Sequence, residues 1–66
     1  MRVTVNGEPR DLPESITVSE LVSQLGLSQR RIAVEVNEDV IPREHYAAQR
    51  LCEGDSVEIV HFIGGG

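Results

Sequence analysis

The sequence predicts a small α+β fold in which one main helix lies across a mixed sheet of four or five strands. Three observations carry this. Residues 1–6 alternate in polarity and run into Asn6-Gly7, the strongest short hairpin signal. Val18, Leu21, Val22 and Leu25 recur at i, i+3, i+4 and i+7, one face of a helix. Two further alternating runs follow, around Val34 and Val57, with the period of half-buried strands.

Each element has a local reason. Met1, Val3 and Val5 point to one face of the first strand, Arg2 and Thr4 to the other. Asn6-Gly7 suits a type I′ turn, in which both central residues need φ > 0. A second strand is expected from Glu8 to Leu12, with Pro9 at its start or on a sheet edge because it cannot donate to a ladder. Thr17 and Glu20 have capping-box spacing, and Ile16 with Leu21 can staple the helix start. Gly26 supplies a left-handed residue to close the helix.

Ile32, Val34 and Val36 form the next strand, Asn37-Glu38-Asp39 a turn, and Val40-Ile41 a very short strand ended by Pro42. Residues 43–51 lack clean periodicity and are expected to hold one short helical turn around His45-Tyr46-Ala47-Ala48. Glu53-Gly54-Asp55 is a turn, and the last strand runs from Ser56 to Phe62 with Val57 and Ile59 inward. One helix across a mixed sheet buries all these faces. Parallel pairing of the first and last strands at the sheet centre would make the fold a ubiquitin-like β-grasp. Residues 1–62 are then the globular domain and 63–66 a flexible glycine tail.

Composition narrows the function. A chain of 66 residues has one thin core, which disfavours a self-contained enzyme with a deep pocket. A single cysteine, Cys52, permits no internal disulfide, and with His45 and His61 far apart there is no metal-site spacing. The expectation is no metal and no cofactor. No run approaches the roughly 18 apolar residues of a membrane helix, and no signal peptide is evident, so a cytoplasmic protein is expected. The net charge of −5 argues against nucleic acid, whose phosphates select basic surfaces. It favours a protein partner with a basic docking face.

The candidate chemistry lies in Gly64-Gly65-Gly66. A tail without Cβ atoms passes a narrow channel and adopts backbone angles closed to other residues. Fully extended, residues 63–66 reach about 13 Å, enough to carry the Gly66 carboxylate into another protein's active site. Cys52 is the rival reactive group. Arg50 is near it, but so are Glu53 and Asp55, which reads as a partly buried, inert thiol. His45 and His61 read as surface or strand-end residues.

Together these features resemble the ubiquitin-like sulfur carriers, and within them the ThiS family of thiamine biosynthesis. The resemblance is carried by Val3-Thr4-Val5-Asn6-Gly7, Thr17-Val18-Ser19-Glu20-Leu21-Val22 and Val34-Glu35-Val36-Asn37. Val40-Ile41-Pro42-Arg43, Gly54-Asp55-Ser56-Val57-Glu58-Ile59 and Ile63-Gly64-Gly65-Gly66 complete it. It spans nearly the whole chain. The tail exceeds the common pattern by one glycine, Gly64.

The resemblance implies a carrier rather than an enzyme. A ThiF-type adenylyltransferase would use ATP to convert the Gly66 carboxylate to an acyl-adenylate. A persulfide donor would then supply sulfur for a thiocarboxylate, and a ThiG-type thiazole synthase would take that sulfur. The chain has no phosphate-binding loop or dinucleotide fingerprint of its own. The sulfur-carrying small subunit of molybdopterin synthase is the alternative within the class. A ubiquitin-fold interaction module with an inert tail is the alternative outside it.

A docking face is also predicted. With Val57 and Ile59 inward, Glu58, Val60 and Phe62 lie on the other face of the last strand. In a β-grasp, Thr4, Ala33 and Glu35 share that face. Val60, Phe62, Ile63 and Arg43 are the expected partner-binding residues, with Phe62, the only phenylalanine, as the aromatic anchor. Glu35 and Glu58 are expected at its charged rim.

Overall fold

A computed structural model describes residues 1–28 and 30–62. The elements are β1 (Arg2–Val5), β2 (Glu8–Asp11), α1 (Val18–Gln24), β3 (Ile32–Val36), β4 (Asp39–Ile41), a 3₁₀ turn (Arg43–His45) and β5 (Ser56–His61). The strands form one five-stranded sheet in the order β2-β1-β5-β3-β4. β1 and β5 are parallel, and the other neighbours are antiparallel. The central parallel pairing of first and last strands is the one the sequence predicts for a β-grasp.

The register follows from the alternation. Val5 pairs with Val57, Val57 with Val36, and Val34 with Ile59. All of these are buried on one face, where Val18, Leu21 and Val22 of α1 also lose their solvent exposure. A one-residue slip of any strand would turn these side chains to water, so the hydrophobic pattern fixes the pairing. β2 is an edge strand with all four residues exposed. Pro9 is therefore tolerated there.

Helix α1 has seven residues, too short to persist alone. Its ends explain how it holds. Thr17 Oγ1 accepts from Glu20 N–H at 3.1 Å, and Glu20 Oε1 accepts from Thr17 N–H at 2.9 Å, which is the capping box. The two remaining donors of the first turn go to the 43–51 segment: Val18 N–H to Gln49 O at 2.8 Å and Ser19 N–H to Tyr46 O at 3.0 Å. At the other end Leu27 N–H reaches Val22 O at 2.9 Å and Gly26 N–H reaches Ser23 O at 3.0 Å, with Gly26 at φ +74°. This is a Schellman closure, and it needs the residue without a Cβ at Gly26.

Four boundaries differ from expectation, the first being β2, which ends at Asp11 rather than Leu12. The β3–β4 turn is only Asn37-Glu38, both at positive φ (51° and 74°), and Asp39 joins β4 opposite Val36. Two residues with φ > 0 make a tighter hairpin than Asn-Glu-Asp suggests. The helical turn covers Arg43–His45 rather than 45–48, because Pro42 presets its start. The last strand ends at His61, not Phe62, although Phe62 N–H still donates to Arg31 O at 2.9 Å.

Candidate functional site

β5 aims the tail. On one side it pairs with β3 as far as His61 opposite Ile32, and the Phe62 bond to Arg31 extends that contact. On the other side β1 pairs with it only at Ser56 and Val57. The side chain of Asn6 prolongs the contact, accepting from Ile59 N–H at 2.7 Å through Oδ1 and donating to Ile59 O at 3.2 Å through Nδ2. The strand is thus held almost to the residue where the glycine-rich segment begins. Ile63, Gly64, Gly65 and Gly66 lie outside the described residues.

The face beyond the core contains the predicted set. Ala33 opposes Val60, Glu35 opposes Glu58, and Thr4 opposes Ser56. Val60 is 52% and Phe62 58% exposed. Val40, read in the sequence only as part of a very short strand, pairs with Glu35 and is 66% exposed. It therefore joins this face. Nothing in a three-residue strand reveals which way its side chains point, and only the hairpin register places Val40. Val40, Val60 and Phe62 are the exposed large hydrophobics among the described residues.

Arg43 is not part of that face. It lines a cleft of about 220 Å³ with Ser19, Val22, Ile32 and Tyr46, and Ile32 points to the core side of β3. The Arg43 guanidinium donates to Arg30 O at 3.1 Å and lies 5.8 Å from the centre of the Tyr46 ring. These contacts give it a structural role, bracing the 43–46 turn against the loop after α1.

Cys52 is exposed, not partly buried as its neighbours suggested. Its backbone N–H is held by Asp55 Oδ2 at 2.8 Å, which turns the chain at Gly54 and leaves the side chain outside. Two asparagines had no functional reading in the sequence beyond turn formation. Asn6 clamps Ile59. Asn37 Oδ1 accepts from Ser56 N–H at 2.9 Å and its Nδ2 donates to Asp55 Oδ1 at 3.0 Å. Both turns adjoin β5, so both asparagines position the strand that carries the tail. The available signal is asparagine in a turn, since it combines tolerance of positive φ with a side chain that hydrogen-bonds locally.

Charge pairing lies at the other end of β1. Arg2 Nε donates to Asp11 Oδ1 at 2.7 Å across β1 and β2. This hydrogen bond and the attraction of the guanidinium hold the Asp11 carboxyl below its ordinary range and raise Arg2 correspondingly. His45 and His61 are both exposed, His61 at the end of β5. Among the described residues no three His, Cys, Asp or Glu side chains gather to hold a metal ion. No helix among them is long and apolar enough to cross a membrane.

Comparison with known proteins agrees with this geometry. The sequence pattern of the ThiS family matches residues 3–66. The chain is 42% identical to a crystal structure of the thiamine biosynthesis protein ThiS from Geobacter metallireducens. That match covers the whole of both chains with a TM-score of 0.86. It is 40% identical over 50 residues to the sulfur carrier protein ThiS of Bacillus subtilis, covering 76% of each chain. It is also 44% identical over 66 residues to a thiazole synthase of Paramagnetospirillum magneticum, of which it spans 20%. The sulfur carriers of this family are not enzymes in their own right. On the evidence of sequence and fold together, this chain belongs to the ThiS family of sulfur carrier proteins.

Proposed function

We propose that the chain carries sulfur for thiazole formation in thiamine biosynthesis, on the carboxyl group of Gly66. The observation that carries this reading is the family match extending through residue 66, combined with a last strand held in the sheet up to Phe62. Residues 1–62 act as the rigid body and 63–66 as the arm. The glycines are small enough to thread a channel. A carboxylate is a poor electrophile, so it must be activated. Attack of its oxygen on the α-phosphorus of ATP expels pyrophosphate and leaves an acyl-adenylate.

Attack by the terminal sulfur of a persulfide then expels AMP, and cleavage of the resulting acyl disulfide by a thiol leaves the thiocarboxylate. Its sulfur is the nucleophile delivered to thiazole synthase. ATP and its metal are held by a ThiF-type adenylyltransferase. Support for the thiazole synthase as a partner comes from the Paramagnetospirillum and Magnetococcus relatives. There a region similar to this chain makes up 20% of a thiazole synthase, so carrier and synthase share one polypeptide. The unpaired Cys52 suits a reducing cytoplasm.

The face bearing Val40, Val60 and Phe62 docks the adenylating partner, and Ile63, the first residue of the arm, is a further contact to it. Arg43 contributes through the shape of the 43–46 turn rather than by lying on this face. The test is incubation with ATP and the adenylyltransferase, followed by intact-protein mass spectrometry. The wild-type chain should gain an adenylate and, with a persulfide donor present, exchange one oxygen for sulfur. A chain lacking Gly65 and Gly66 should fold normally and gain neither. Full adenylation of the shortened chain would refute the assignment.

A further inference from the structure

Glu35 and Glu58 stand directly opposite one another on the outer face of the sheet. The flanking bonds show how close they are. Asn37 N–H donates to Ser56 O and Phe62 N–H to Arg31 O. Hydrogen-bonded pairs in an antiparallel ladder recur every two residues, so Glu35 and Glu58 form one of them. The Cβ atoms of such a pair lie about 5.5 Å apart, the wider of the two spacings between opposed residues. Like charges facing each other at that spacing repel and oppose strand pairing.

Among the described residues no cation relieves this repulsion. The ion pairs among them are Met1 N-terminus with Glu14 and Arg2 with Asp11, and neither glutamate takes part. The neighbours of the pair towards β4 and towards the tail are apolar, while the rung on the other side is the polar Asn37–Ser56 pair. Val40 lies beside Glu35 on β4, and the Ala33–Val60 pair is the next rung towards the tail. Val40 and Val60 are more than half exposed. A cation brought between the carboxylates would be flanked by Val40, Ala33 and Val60, which shield it from water on those sides and strengthen a charge pair.

We propose that the adenylating partner inserts one arginine between Glu35 and Glu58. The planar guanidinium has donors on two edges and can bridge two carboxylates, while its aliphatic stem lies over Val60. The proposal rests on the reading of this face as the docking surface for that partner. It gives the net charge of −5 a local focus.

The repulsion makes the test two-sided, since removing the charges should help the fold and harm the complex. The chain variants are Glu35→Gln with Glu58→Gln, and separately Glu58→Arg, which puts a cation opposite Glu35. A control, Glu8→Gln with Glu38→Gln, removes the same charge from exposed sites on β2 and the β3–β4 turn. Thermal melting, calorimetric titration with the ThiF-type adenylyltransferase and adenylation kinetics are measured at low and high salt.

The first two variants should melt no lower than wild type and bind at least about tenfold more weakly, in the range of an interface hot spot. Their adenylation at sub-saturating partner should fall in step with the lost affinity. The control should bind within about twofold of wild type, as expected of charges away from an interface core. Wild-type affinity in the double glutamine variant, or equal weakening in the control, would overturn the arginine bridge while leaving the carrier reading in place. A wild-type chain that the adenylyltransferase neither binds nor adenylates would overturn both.

Discussion

The Asn6 side chain and the Ile59 backbone exchange two hydrogen bonds, at 2.7 and 3.2 Å, across the gap left where β1 turns away. Asn6 sits at φ +51° in the β1–β2 turn. One residue therefore shapes the hairpin and extends the central parallel ladder by another rung. It ties the strand that bears the arm to the part of the sheet farthest from β3.

Replacing Asn6 separates the two roles. Asn6→Gly keeps the positive φ but loses the clamp, and should cost about 1–2 kcal/mol of stability for two net hydrogen bonds partly shielded from water. Asn6→Ala loses both and should cost about 1 kcal/mol more, the strain of a left-handed conformation in a residue with a Cβ. Urea unfolding of the three chains checks the order. Equal stability of wild type and Asn6→Gly would show that the clamp contributes nothing.

Thr17 is the second local keystone. It is only 9% exposed and closes the capping box of a helix too short to stand alone. Thr17→Ala should destabilise the chain by about 1–2 kcal/mol, with a matching drop in denaturation midpoint and an unchanged m-value. A Thr17→Ser chain, which retains the hydroxyl, should recover most of the loss.

Acid sensitivity has a predictable sign at Asp11. Its carboxyl titrates below the ordinary value in the folded chain because Arg2 hydrogen-bonds and attracts the charged form. A depressed folded value means the stabilisation is present above the unfolded value and is lost as pH falls through the folded one. Melting temperature should therefore decline as pH drops below about 4, and less so in Asp11→Asn. Both side chains are well exposed, so the difference should be small and shrink further with added salt. A steeper acid decline in Asp11→Asn than in wild type would reverse the assignment.

Phe62 lies next to the arm and is exposed, so its removal leaves the core untouched. Phe62→Ala should weaken binding to the adenylyltransferase by about 1–3 kcal/mol, the range of an aromatic hot spot, with melting temperature unchanged. Wild-type affinity, or collapse of the variant on heating, would show that Phe62 serves the fold instead.

The sequence by itself determined every element that local chemistry specifies. The Asn6-Gly7 turn, the capped helix from Thr17, the glycine stop at Gly26 and the inward faces of β1, β3 and β5 follow from φ preferences, caps and period-two alternation. These act over a few residues, and the structure reproduces them. The tail signal was equally local, a run of glycine in Gly64-Gly65-Gly66.

Tertiary structure decided what depends on partners distant in the chain. Residues 43–51 show no periodicity because their task is to accept the first donors of α1 and to bury Tyr46 and Leu51. Val40 reaches the outer face only through the β3–β4 register. Arg43 is placed by its contacts with Arg30 O and the Tyr46 ring, which the sequence does not reveal. Cys52 stays outside because Asp55 holds its backbone. The opposition of Glu35 and Glu58, 23 residues apart in sequence numbering, exists only once β5 has entered the sheet beside β3. A pattern of alternation shows which side of a strand a residue takes, but a neighbour across the ladder is set by the pairing of two strands, and that is a property of the whole fold.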